Sequence, residues 1–422
     1  MKYFLKKKLF AILFLAVLFG YAGVNAYREA GEWLKVLKED LGKEDARTMV
    51  SHLEDSINES LYGREKWIEL HAYTQVLMDK KEYNNFSDIK DKKGYLHYAS
   101  FFREDDDQLF DYALRVRRLQ DYVKQYDTKV IFLVTSGKYV AGETEFDPGL
   151  PVNDPNSRVD ELLFHLNRLG VPVVDCRKEI PGSGIAYEDA FYKTDHHWTV
   201  PAAFEATKML VRSLNEIYDA GLDPEGYWLN KDNFEEVTYE HGMCGSMGRS
   251  TGGNYVGLED FTAYWPKFRM NFSRQCMEED GSMRTEQGDI STVLMNPDTL
   301  KTNTDIYTSS QYSLYLNELR TYETIVNQEN TEGPSMLALR DSYFSPVMVF
   351  LAPMFSRMDA IWTLETSDAI DIETYVKDNR FDYIVIEVYP YNINNDAFQF
   401  FQEASGLEPD PVSGPDGVDE DE

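Results

Sequence analysis

Met336-Leu337-Ala338-Leu339-Arg340-Asp341-Ser342-Tyr343-Phe344-Ser345-Pro346 holds the change of pattern that sets the fold. Met336 to Leu339 is an unbroken apolar run, which suits a strand covered on both faces. From Phe344 to Phe355 the spacing becomes helical. Asp341 and Ser342 stand at the junction. A serine at the C-terminal end of a parallel strand lies at the open edge of the sheet, where ligands bind in open α/β folds. It also lies at a helix N-terminus, whose free amides can hold an oxyanion. This is the mechanical logic of a nucleophile elbow without its Gly-x-Ser-x-Gly sequence. A plain Asp or Ser N-cap explains the same residues, and strand-Asp-Ser-helix is common.

Working outward, the same rhythm recurs. Asp107 to Tyr126 carries Leu109, Phe110, Ala113, Leu114, Val116, Leu119 and Val123 at helical spacing. Lys129 to Val134 reads as a buried strand. Ser157 to Leu169 is an amphipathic helix, capped by Ser157 or Asn156 and stopped by Gly170. Val171 to Val174 is a short strand ending at Asp175. Beyond the quoted stretch, Ala360 to Leu364 and Tyr383 to Ile386 are strands, with a helix over Ile370 to Asn379 between them. This alternation implies an α/β fold, a parallel sheet flanked by helices, over residues 96–408. Residues 219–330 are rich in Gly, Asn, Tyr and Thr with few clean periods. They read as an insertion of short strands and loops, capping the sheet edge. Residues 28–95 read as a helical lead-in, with Trp67, Ile68 and Leu70 as core contacts. Residues 409–422 are acidic, without an apolar cluster, and read as a disordered tail.

Lys2, Lys6, Lys7 and Lys8 precede an uncharged run from Leu9 to Tyr27. As a helix that run is ~28 Å long, close to the thickness of a bilayer core. It reads either as a signal anchor or as a signal peptide cleaved after Val24-Asn25-Ala26. In both cases the lysines stay cytoplasmic and the remainder is extracytoplasmic, anchored or secreted. The 422 residues carry 42 Lys and Arg against 73 Asp and Glu, a net charge of −31. That excess argues against a nucleic-acid partner, which needs a basic stripe. It argues equally against docking flat on an anionic membrane. Cys176, Cys244 and Cys276 form no CxxC pair, so no thiolate metal site is indicated, although Cys244 and Cys276 are able to pair if close.

The chain has 7 histidines, and two adjoin in Tyr192-Lys193-Thr194-Asp195-His196-His197-Trp198-Thr199. Pro201 to Tyr218 follows with helical spacing, with Thr199 as N-cap. Asp195 and His197 thus sit in a loop before a helix. A carboxylate bonded to one imidazole nitrogen fixes the tautomer and frees the other as a base. A capping Asp with two ordinary polar histidines fits the same residues. A metal held by Asp195, His196 and His197 requires consecutive ligands, which is awkward, and no further His or Cys cluster completes a shell.

The segment from Phe191 to Thr199 resembles the signature of the DHHW family of bacterial extracytoplasmic proteins. These in turn resemble the SGNH-hydrolase-like domains of the alginate O-acetylation proteins. Val134 to Lys138, Val173 to Asp175, Gly245 to Arg249 and the Asp341-Ser342-Tyr343 turn share the resemblance. It implies an SGNH-hydrolase-like fold with Ser342 as nucleophile, His197 as general base and Asp195 as its orienting carboxylate. The Ser342 amide, a Gly245 or Gly248 amide and the Asn392 side chain are oxyanion candidates. His196, Trp198, Lys138, Arg340 and Tyr343 are candidates for lining the site. The function implied is serine-dependent O-acyl transfer, most simply of acetyl, to or from a cell-surface carbohydrate polymer. A membrane-bound O-acyltransferase is the implied acyl-supplying partner, and no cofactor or metal is implied. One departure stands out, for Arg340 replaces the glycine with which the family's turn begins. That arginine favours an alternative, a noncatalytic carbohydrate-binding or envelope-assembly protein on the same fold.

Overall fold

The computed structural model describes residues 2–43, 45–99, 108–152, 154–278, 281–300, 310–316, 320–364 and 370–402. The acidic tail lies outside them. The chain forms two compact units, Met1–Met78 and Asp79–Glu422.

The first unit is three helices, α1 (Lys2–Asp40), α2 (Ala46–Ser60) and α3 (Arg64–Leu77). The apolar run does not end its helix, for α1 continues unbroken past Ala26 to Asp40. It is the one helix among the described residues long and apolar enough to cross a membrane, and it is a candidate anchor or signal. Asp45 caps α2 by accepting from the Arg47 and Thr48 amides. Trp67 and Leu70 are exposed rather than core contacts, and Ile68 is only half-buried. The helical lead-in stops at Leu77 instead of running to residue 95. A small antiparallel sheet follows, β1 (Glu82–Tyr83), β2 (Asp88–Lys90) and β3 (Leu96–Tyr98).

The second unit is built on eight strands in the order β5-β4-β13-β11-β12-β10-β8-β9. Five are parallel: β4 (Lys129–Val134), β5 (Val173–Asp175), β11 (Ser335–Arg340), β12 (Arg357–Trp362) and β13 (Tyr383–Val388). The other three, β8 (Asn271–Met277), β9 (Met283–Asp289) and β10 (Tyr322–Asn327), are antiparallel. The sheet is therefore mixed, not parallel throughout. The insertion lengthens it by hydrogen bonding to β12, and only part of the insertion, the β6 (Phe234–Met243) and β7 (Glu259–Pro266) pair, stands apart as its own ribbon.

Side chains on a strand alternate between faces, so each strand feeds two cores. On β11, Met336 and Ala338 join one cluster, and Leu337 and Leu339 the other. The helices Val200–Tyr218 and Ser345–Leu351 cover the first face, and α4 (Leu109–Val123) and α5 (Asn156–Arg168) cover the second. Neither Ser157 nor Asn156 caps α5. Both lie in its first turn, and the Asp154 carboxylate accepts from the Asn156 amide at 2.8 Å. Gly170, at φ +70°, ends that helix as expected. The three cysteines are buried and Cys244 and Cys276 form no disulfide. Because the five parallel strands point one way, their C-terminal ends share an edge, and Ser342 follows β11 there.

Candidate active site

The turn after β11 is held by its aspartate. Asp341 Oδ1 accepts from the Tyr343 amide at 2.9 Å, capping the turn. Its Oδ2 accepts from the Tyr389 amide at 2.9 Å and from Asn392 Nδ2 at 2.8 Å. The Asp341 amide donates to Glu387 Oε2 at 2.9 Å. The end of β11 is thereby fastened to the end of β13, and Ser342 opens the helical turn Ser342–Phe344.

The second loop is closed by an antiparallel bridge between Phe191 and Trp198, and Thr199 caps the following helix through the Ala202 amide. Trp198 is fully buried, and its Nε1 donates to the carbonyl of Tyr343 at 3.2 Å. Tyr343 returns the contact by donating its hydroxyl to the carbonyl of His196. These two aromatic residues tie the loops together. Across 145 residues of chain, Ser342 Oγ lies 2.8 Å from His197 Nε2. His197 Nδ1 lies 2.6 Å from Asp195 Oδ1, and the other carboxylate oxygen accepts from the Ser246 amide at 2.7 Å. With Nδ1–H directed at Asp195, Nε2 is left as acceptor for the serine proton.

The electrostatics fit this chain of contacts. Burial alone would raise the Asp195 carboxyl, but His197, His196 and the Ser246 amide outweigh it and hold the group well below the ordinary range. Burial, and then the neighbouring His197, lower His196 to about 3, so it stays neutral. His196 Nδ1 faces Ser246 Oγ at 3.1 Å and the Tyr98 hydroxyl at 3.3 Å, and no contact joins it to Ser342. The ligand atoms of Asp195, His196 and His197 lie within 4.8 Å of one another. A cation there would have to displace either the Asp195 or the Ser342 contact of His197.

Several site candidates are placed elsewhere. Arg340 is fully buried: its Nη2 pairs with Glu323 Oε1 at 2.5 Å, Glu323 pairs with Arg274 at 2.8 Å, and Arg340 Nη1 donates to the Asp341 carbonyl and to Ser345 Oγ, each at 3.2 Å. It thereby braces the turn that carries Ser342 from its buried side. The Gly245 and Gly248 amides are spent on Thr194, donating to its Oγ1 and its carbonyl. Asn392 Nδ2 gives one of its two hydrogens to Asp341. Of the oxyanion candidates, the Ser342 amide and the second Asn392 hydrogen are left. Lys138 is 3% exposed: its Nζ donates to the Met247 sulfur at 3.7 Å, its carbonyl accepts from the Thr144 and Tyr187 hydroxyls, and burial lowers the side chain to about 8.

Three contributors escape a reading of the sequence. Tyr312 stacks on the His197 ring, with centroids 3.9 Å apart and planes 16° apart. Glu259 accepts from the Lys193 and Thr194 amides at 2.7 and 2.8 Å and from the Thr194 hydroxyl. Ser246 supplies its amide to Asp195. All three lie in the insertion, and only Ser246 carried a signal, within Gly245 to Arg249.

Residues 91–236 match the family model for the SGNH hydrolase-like domain of acetyltransferase AlgX. That stretch contains Asp195 and His197 and ends before Ser342. No curated protein matches the chain at the level of sequence. The fold is similar to that of Bacillus cereus PatB1, with a TM-score of 0.59, 16% identity, and 74% of this chain and 99% of that chain covered. PatB1 with a sulfonyl adduct gives 0.58 at 15% identity, covering 74% and 97%. A DHHW family protein from Eubacterium siraeum DSM 15702 gives 0.51 at 15% identity, covering 74% and 93%. By the matched stretch and by its fold, the chain carries an SGNH hydrolase-like domain.

Proposed function

We propose that this protein is an extracytoplasmic serine-dependent O-acyltransferase or esterase of cell-surface carbohydrate, with acetyl the simplest acyl group. The observation that carries the reading is the relay Ser342 Oγ, His197, Asp195 at 2.8 and 2.6 Å. Ser342 Oγ attacks the carbonyl carbon of an acyl donor while its proton passes to His197 Nε2. The Ser342 amide faces the oxyanion. Collapse breaks the bond to the leaving group, which takes the proton from His197. The acyl-enzyme is then attacked by an acceptor hydroxyl that gives its proton to His197, and Ser342 recovers a proton as the ester is released. A sugar hydroxyl as acceptor makes a transferase, and water makes an esterase. α1 would tether the chain to a membrane, and a membrane-bound O-acyltransferase would supply the acyl group. The noncatalytic alternative draws on Arg340, and the pairing of that guanidinium with buried Glu323 supports a structural role for the arginine instead.

The test is intact-mass analysis of the full chain after exposure to an activated acetyl ester. One acetyl group mapped to Ser342, absent from Ser342→Ala and discharged faster by added oligosaccharide than by water, is the expected result. An unmodified Ser342 with unchanged ester turnover in Ser342→Ala would refute the nucleophile.

A further inference from the structure

The turn between α2 and α3 is pinned to the last two turns of the apolar run in α1. Asn25, only 5% exposed, accepts from the Tyr62 amide at 2.7 Å through Oδ1 and donates to the Tyr21 carbonyl at 2.9 Å. The Tyr21 hydroxyl donates to the Tyr62 carbonyl at 2.6 Å and accepts from Trp67 Nε1 at 2.9 Å. The Tyr21 and Trp67 rings meet edge to face at 5.6 Å. Leu9 to Tyr27 spans ~28 Å, so Tyr21 and Asn25 lie within about 10 Å of its outer end. Any bilayer that α1 crosses therefore reaches this turn.

The surface found at that level is unusual for one facing water. Tyr62, Trp67, Leu70 and Tyr73 are each 52% exposed. Gly20, Tyr21, Val24, Tyr62, Trp67 and Leu70 line an apolar groove of about 480 Å³. Trp and Tyr, with an apolar body and a polar handle, concentrate at membrane interfaces. Lys66 lines the same groove, and a lysine can keep its head in water over an apolar stem.

We propose that the α2–α3 turn and the first half of α3 lie in the outer headgroup region of the bilayer crossed by α1, with a lipid acyl chain in the groove. This rests on the anchored, extracytoplasmic reading above. It also requires that α1 is kept: cleavage after Ala26 would strip the Tyr62 amide and Trp67 Nε1 of their partners. The docking is apolar and aromatic, so it is compatible with the net charge of −31.

The experiment uses the full chain in phosphatidylcholine nanodiscs, carrying one spin label at Phe14→Cys, Leu70→Cys or Arg47→Cys. The three native cysteines are buried. Collisions with oxygen, which enters lipid, are compared with collisions with a water-soluble nickel chelate. Labels at 14 and 70 should favour oxygen, and the label at 47 the chelate. A label at 70 that matches 47 while 14 stays in lipid overturns the proposal and leaves the anchor standing. A label at 70 shielded from both, and released on dilution, places a second copy in the groove and overturns it too. A label at 14 in water removes the anchor and the proposal together.

Discussion

The two halves of the central sheet expose different things. In the parallel half, β13 is buried at every position, and β4 and β11 at all but the first. In the antiparallel half, β8 buries every second residue and β9 none. Helices on both faces demand the first pattern, and a solvated face permits the second. The division is also functional. The nucleophile turn grows from the parallel half, while the insertion supplies the braces: the Ser246 amide, Glu259 and Tyr312. Two buried glutamates condense the contrast. Glu323, on antiparallel β10, lies between Arg274 and Arg340, whose charges overcome burial and lower its carboxyl. Glu387, on parallel β13, lies beside Asp341, and burial and then that charge push its carboxyl well above the ordinary range.

If the parallel half carries the chemistry, its loss should be the largest effect. Removing His197 or Ser342 as Ala should each lower acyl transfer about a thousandfold or more, because the two act as a unit. The melting temperature of Ser342→Ala should barely move, since Ser342 stands at a turn. Additive losses in the double variant would break the unit.

The insertion's bracing is tested at Gly245. A Cβ there would lie 2.3 Å from Asp195 Cβ and 2.6 Å from both Asp195 Oδ2 and the Thr194 carbonyl. Backbone and a buried carboxylate have to give way, so Gly245→Ala should displace Asp195. Misplacement on the order of 1 Å costs about 100-fold in rate. Steady-state kinetics should show the loss in kcat, and a variant with wild-type kcat would show that the insertion merely covers the site.

These results bear on what could be read from the residues alone. Strands β4, β11 and β13 were legible because burial on both faces leaves unbroken apolar runs. Asp195, His197 and Ser342 were legible because each sits where a period changes. β8 and β9 were not: Asn271-Phe272-Ser273-Arg274-Gln275 mixes polar residues with a buried arginine, and its strand character rests on pairing with β10. The ion pair of Arg340 was hidden for the same reason. Its partner Glu323 is 17 residues away and two strands across the sheet, on β10, which no local pattern announces.

The seam between the halves is the next test. Arg340→Met leaves buried Glu323 with one arginine instead of two, and breaking such a network costs about 3–5 kcal/mol. Activity per folded molecule should fall as well, since the variant loses the Arg340 Nη1 bonds to the Asp341 carbonyl and Ser345 Oγ on either side of Ser342. The sign with pH follows from the lowered Glu323 carboxyl. Its stabilisation is present above the unfolded value of 4.5 and is lost as pH falls through the folded one. Denaturant melts should therefore show the gap between wild type and variant narrowing on acidification. A gap that widens would mean Glu323 is not the ionised partner.

The smallest effect belongs to Glu387, and its sign is opposite. In the folded chain this carboxyl keeps its proton above the unfolded value of 4.5. Between that value and the raised folded one the native state binds more protons than the unfolded chain, so stability falls as pH rises. Glu387→Gln keeps the size of the side chain and an oxygen to accept from the Asp341 amide, but it does not titrate. The variant should match wild type in mild acid and become the more stable of the two as pH climbs. Calorimetric melts in steps from about pH 4 to about pH 9 read this as a growing difference in Tm. A flat difference would mean Glu387 is ionised beside Asp341, and that the contrast with Glu323 fails.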